Sequence, residues 1–96
     1  MHLEIVTPES KVFSGEATAV QLPGLDGSFQ VLNNHAPIIS ALSAGQVKID
    51  LTEVFEREEK TSDLIKQDKS NNKAILVDIK GGVIEMLNNK IIVLAE

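Results

Sequence analysis

The chain has no cysteine, no tryptophan and no tyrosine, and only 3 phenylalanines among its 96 residues. Without cysteine there is no disulfide framework and no thiolate zinc site. Small secreted domains commonly depend on such cross-links, so the composition favours the cytoplasm. With so few aromatic rings, a platform for stacking bases or sugars is not expected, and the core must be built from Ile, Leu, Val and Ala. Cations are also scarce: 9 Lys and Arg against 14 Asp and Glu give a net charge of −5. That balance opposes sequence-independent binding to a phosphate backbone or an anionic lipid surface, so nucleic acid is not an expected partner. No long apolar run is present, and Met1-His2-Leu3-Glu4-Ile5 starts a strand pattern without a basic leader. No segment is expected to insert directly into a membrane.

What the chain does have is 43% hydrophobic residues, enough for one core in one domain of 96 residues. The stretch from Gly27 to Leu42 organises it. Phe29 and Val31 alternate with Gln30, Asn33-Asn34 can adopt a positive φ, and Pro37 forces Ala36 into extended geometry, which predicts strand, tight loop, strand. Elsewhere the same period of two predicts strands over His2–Val6, a short piece at Lys11–Gly15, and Glu16–Leu22 with Thr18, Val20 and Leu22 on one face. Val47, Ile49 and Leu51 give the cleanest alternation; Ala74–Ile79, Val83–Leu87 and Lys90–Leu94 complete the set. Turn chemistry lies at Pro23–Gly27, Ser43–Gly45, Gly81-Gly82 and Asn88-Asn89. The stretch from about residue 53 to 73 is polar and charged, which predicts a projecting hairpin extension or loop, with one or two helical turns as the alternative. Several short strands and no helix-period segment predict an all-β sandwich or barrel.

Catalytic chemistry is poorly represented. His35 is the only interior histidine, so a transition-metal site has no second imidazole or thiolate at ligand spacing. Ser40 and Ser43 are not framed by a nucleophile elbow, and the glycines are not spaced to cradle phosphate. No catalytic residue, no metal ligand and no cofactor site is expected.

Three separated segments resemble one family. They are His2-Leu3-Glu4-Ile5-Val6-Thr7 with Val12-Phe13-Ser14-Gly15, then Gly27-Ser28-Phe29 with His35-Ala36-Pro37-Ile38-Ile39-Ser40-Ala41-Leu42, and then Gly81-Gly82-Val83-Ile84-Glu85 with Val93-Leu94-Ala95. In order and spacing they resemble the N-terminal β-sandwich domain of the epsilon subunit of the bacterial F-type ATP synthase. The resemblance implies a sandwich of about ten strands and a non-catalytic rotor subunit of a proton-translocating complex. Such a subunit sits at the foot of the central stalk, on the cytoplasmic face of the plasma membrane. It implies contact with the gamma subunit through Thr7, His35, Ala36, Pro37 and Ser40, and with the membrane c-ring through Asp26, Gly27 and Ser28. Many relatives continue into a helical hairpin that restrains ATP hydrolysis; the sequence stops at Glu96, so no such self-inhibition is expected. The competing reading is a free-standing β-sandwich adaptor or ligand-binding module, with an enzyme third.

Overall fold

Alternating apolar positions become nine strands in the computed structural model, which describes residues 1–96. In order they are β1 (His2–Val6), β2 (Lys11–Gly24), β3 (Gly27–Leu32), β4 (Ile38–Leu42), β5 (Gly45–Leu51), β6 (Ile65–Gln67), β7 (Ala74–Ile79), β8 (Gly82–Leu87) and β9 (Lys90–Ala95). The architecture is the all-β sandwich that the sequence implies. One layer runs β1-β9-β8-β4, with β1 parallel to β9 and the remaining pairs antiparallel. The other runs β3-β2-β5-β7-β6, all antiparallel.

Strand β2 belongs to both layers, which explains why nine strands do the work of about ten. Its first half pairs with β1 from Lys11 to Glu16, and its second half pairs with β3 and β5. Lys11–Gly15 and Glu16–Leu22 are therefore one strand with no break between them, and a β-bulge lies just beyond, at Thr18. Ala17 faces Leu51 and Ala19 faces Asp50, so Thr18 is the extra residue. The bulge overturns the expectation that Thr18 shares a face with Val20 and Leu22. Ala17, Ala19, Val20 and Leu22 are buried, while Thr18 points out and its hydroxyl donates to the Asp50 carbonyl at 3.2 Å. Small side chains at Ala17 and Ala19 let the strand cross between layers.

Twenty buried apolar residues form one core cluster, centred on Leu3, Ile5, Leu22, Ile49, Ile75, Ile84, Met86 and Ile91. Each such side chain, fully withdrawn from water, stabilises by roughly 1.5–3 kcal/mol before entropy is subtracted. The polar stretch after β5 contains no helix. Phe55 packs against the core, its backbone N–H donates to the Asn72 carbonyl at 2.9 Å, and the Arg57 guanidinium donates to the Ile65 carbonyl. The three-residue strand β6 then inserts Ile65, 3% exposed, beneath the segment.

On the outside of the second layer, polar residues dominate. Lys66 Nζ donates to Asp78 Oδ2 at 2.7 Å and Gln46 Nε2 to Asp78 Oδ1 at 3.1 Å. The Lys66 hydrogen bond, then that of Gln46, hold the Asp78 carboxyl below the ordinary carboxylate range. A lowered folded-state pKa means that this contribution is complete above the unfolded value and is lost as pH falls through the folded one. Asp78→Asn is therefore expected to lower the melting temperature slightly at neutral pH, where the contribution is complete, and to flatten its acid dependence so that the two chains converge as pH falls below about 4. Melting curves of both chains across that range check it; parallel curves would remove Asp78 from the acid response.

Candidate protein-docking face

Hydrogen-bond register places the residues singled out by sequence at two ends of the sandwich. At one end, Asn34 takes φ 62 after β3, and its N–H donates to Asn89 Oδ1 at 2.7 Å, tying the β3–β4 loop to the β8–β9 turn. The Met1 amine reaches the same loop through Asn33 Oδ1 at 2.6 Å. Asn88 and Asn89 have φ 51 and 61, the paired left-handed geometry of a tight hairpin turn. The loop presents His35, Ala36 and Pro37, all exposed. His35 Nδ1 lies 2.7 Å from the Ala36 carbonyl, which can only accept, so Nδ1 carries a proton.

Thr7 lies at the other end, just past the last residue of β1, whereas His2 at its start donates its N–H to the Asn89 carbonyl. The Thr7 backbone and hydroxyl close the β1–β2 turn against the Ser10 carbonyl at 2.9 and 3.2 Å. The β2–β3 turn, with Asp26 and with Gly27 at φ 118, is at this end too. Ser40 lines a shallow depression with Asp26, Gly27 and Ser28. The structure thus joins Ser40 to that turn and separates Thr7 from His35, Ala36 and Pro37.

Asn89→Ala removes both the acceptor for Asn34 and a side chain that tolerates φ 61. The expected cost is about 1–2 kcal/mol, with faster amide exchange through 33–37. Asn89→Gly keeps the turn geometry but not the acceptor, so it should recover stability while leaving the loop exchange fast. Loop exchange unchanged in both variants would show that the Asn34 bond does not hold the loop.

A surface that sequence reasoning missed lies between these ends. On the outside of the first layer, Val6, Leu94, Val83 and Ala41 stand side by side across β1, β9, β8 and β4. The next row is Glu4, Ile92, Glu85 and Ile39. Ile39 is 79% exposed, Leu94 57%, Leu87 51% and Val83 41%. Four of the eight exposed large apolar side chains therefore share one sheet face, an arrangement typical of protein–protein contact. The signal was in the sequence: Ile91-Ile92-Val93-Leu94 is apolar at consecutive positions, so one alternate set must face outward whichever set is buried. No group of three or more His, Asp or Glu residues is placed to hold a metal ion, and no helix is long and apolar enough to cross a membrane.

Comparison with known proteins identifies the family. Residues 1–59 match the sequence profile of the family described as ATP synthase, Delta/Epsilon chain, beta-sandwich domain. The ATP synthase epsilon chain of Chlorobium limicola is 40% identical over 94 residues, covering 98% of this chain and 86% of that protein. The epsilon chain of Campylobacter curvus is 38% identical over 96 residues, 100% of this chain and 60% of that protein. In fold, the chain is similar to a chain in the central stalk and c-ring of the Tetrahymena thermophila mitochondrial ATP synthase. The TM-score is 0.66 at 16% identity, covering 99% of this chain and 62% of that one. On its profile match and on identity across nearly its whole length, the chain belongs to the delta/epsilon family of ATP synthase subunits and carries that family's β-sandwich domain.

Proposed function

We propose that the chain is a non-catalytic rotor subunit of a proton-translocating ATP synthase, coupling rotation of the gamma subunit to the membrane c-ring. The observation that carries this reading is the apolar outer face of β4, β8 and β9 on a sandwich whose other outer face is mostly polar. Family membership supports gamma as the partner. Gamma docks on that face and on the adjoining loop of His35, Ala36 and Pro37, with Thr7 at the far margin of β1. The turn of Asp26, Gly27 and Ser28, together with neighbouring Ser40, meets the c-ring. The chain is then a peripheral component on the cytoplasmic face of a bacterial plasma membrane, held there by protein contacts. These 96 residues form strands only, so they supply no helical arm of their own to restrain ATP hydrolysis.

Capture of purified gamma by the immobilised chain tests the reading, with His35→Ala and Pro37→Gly as loop variants. Recovery of gamma, weakened by those substitutions while circular dichroism stays unchanged, supports it. Failure of the folded chain to retain gamma or the c-ring would favour a free-standing binding module.

A further inference from the structure

Near the middle of the apolar face stands one carboxylate without a partner. Glu85 lies between Ile92 on β9 and Ile39 on β4, with Val83 and Leu87 before and after it on the same side of β8. It is exposed and takes part in none of the chain's ion pairs. The face's other carboxylate, Glu4, is already within 4 Å of His2 and Lys11, at 3.5 and 3.8 Å. Lys90 sits diagonal to Glu85 on the neighbouring strand and makes no ion pair with it. Two shallow depressions flank Glu85 and share it and Leu87 as their common ridge. One is completed by Pro37, Ile38, Ile39 and Met86, and the other by Asn88, Lys90 and Ile92.

A carboxylate ringed by apolar side chains loses its water when a partner covers the face, and the loss is costly unless a cation replaces that water. We infer that Glu85 is the specificity-determining residue of this face, and that the docked partner presents an arginine or lysine to it within an otherwise apolar contact. The partner segment therefore carries apolar side chains for the two depressions with a cation between them. Surfaces that are apolar only, or that bring a carboxylate there, are rejected. This inference rests on the docking reading above and assigns the pairing that selects the partner.

The test measures affinity of the full 96-residue chain for purified gamma as wild type, Glu85→Gln and Glu85→Lys, at low and high salt, with thermal melts of each. Glu85→Gln should lose about tenfold or more and Glu85→Lys substantially further, with unchanged melting. Wild-type affinity should fall with salt more steeply than that of Glu85→Gln. Replacing the matching gamma cation by glutamate should rescue Glu85→Lys. Wild-type affinity in both variants, with gamma still bound, would overturn the pairing and leave the docking face standing. No binding of gamma by the folded wild-type chain would overturn both.

Discussion

A Gly82→Ala chain is expected to melt more than about 10 °C below the wild type, or to fail to fold. Gly82 opens β8 at φ 149, a conformation L residues rarely adopt, and pairs with both Leu42 and Ala95. A Cβ there would lie 2.2 Å from the Leu94 carbonyl oxygen and 3.0 Å from the Ala95 Cα. Both are backbone atoms of the adjacent strand, so neither can swing aside as a flexible side chain would. Relief requires β8 and β9 to separate where the first layer meets the end of β7. A cost of roughly 3 kcal/mol or more is expected from strain and overlap together, and each kcal/mol shifts the midpoint of a domain this size by about 4–8 °C. Gly27→Ala is the informative control. Gly27 has φ 118 but no atom within 4 Å of an added Cβ, so only backbone strain applies, roughly 1–3 kcal/mol. Equal losses at the two positions would show that close approach contributes nothing at Gly82.

The second large effect concerns binding. Ile39→Asp combined with Leu94→Asp is expected to leave the chain folded, with a melting temperature lowered by no more than about 8–16 °C, and to weaken gamma binding by at least about 100-fold. Both side chains are mostly exposed, so their replacement opens no cavity, and aspartate on a strand costs only about 1 kcal/mol in propensity. In a docked complex each new carboxylate would be stripped of water against an apolar surface, where unpaired charge is strongly penalised. Val54→Asp with Leu64→Asp is the matched control. These residues are also exposed and apolar, at 49% and 46%, but belong to the segment between β5 and β6. Equal loss of binding in the control pair would show that general charge, and not the β4-β8-β9 face, governs association.

How far the sequence disclosed this molecule depended on what each residue had to satisfy. Alternation at Val47, Ile49 and Leu51 reports a strand with one wet side, and β5 follows it. Asn34, Asn88 and Asn89 occupy positive φ because they were the residues able to do so at low cost. The bulge at Thr18 was hidden, because one inserted residue inverts the pattern and Ala17 and Ala19 are too small to declare a face. Strand β6 was hidden too: in Ile65–Gln67 only Ile65 is buried, and an edge strand exposes its other residues whatever their chemistry. Within the proposed docking surface, the His35-Ala36-Pro37 loop was legible from its turn chemistry. Ile39, Val83, Leu87 and Leu94 were not singled out, because β-branched and apolar residues on closing strands read equally well as core. Only the register, which aligns them across three strands, distinguishes an outer face from an inner one.

Hydroxyl-radical footprinting of the chain with and without gamma tests the docking account most directly, because it reads side-chain exposure across the whole surface at once. Oxidation of Ile39, Leu87 and Leu94 is expected to drop together when gamma is bound. Val54 and Leu64, on the β5–β6 segment, should react as they do in the free chain. Protection of Val54 and Leu64 with Ile39, Leu87 and Leu94 unchanged would place the partner elsewhere and contradict the assignment of the β4-β8-β9 face.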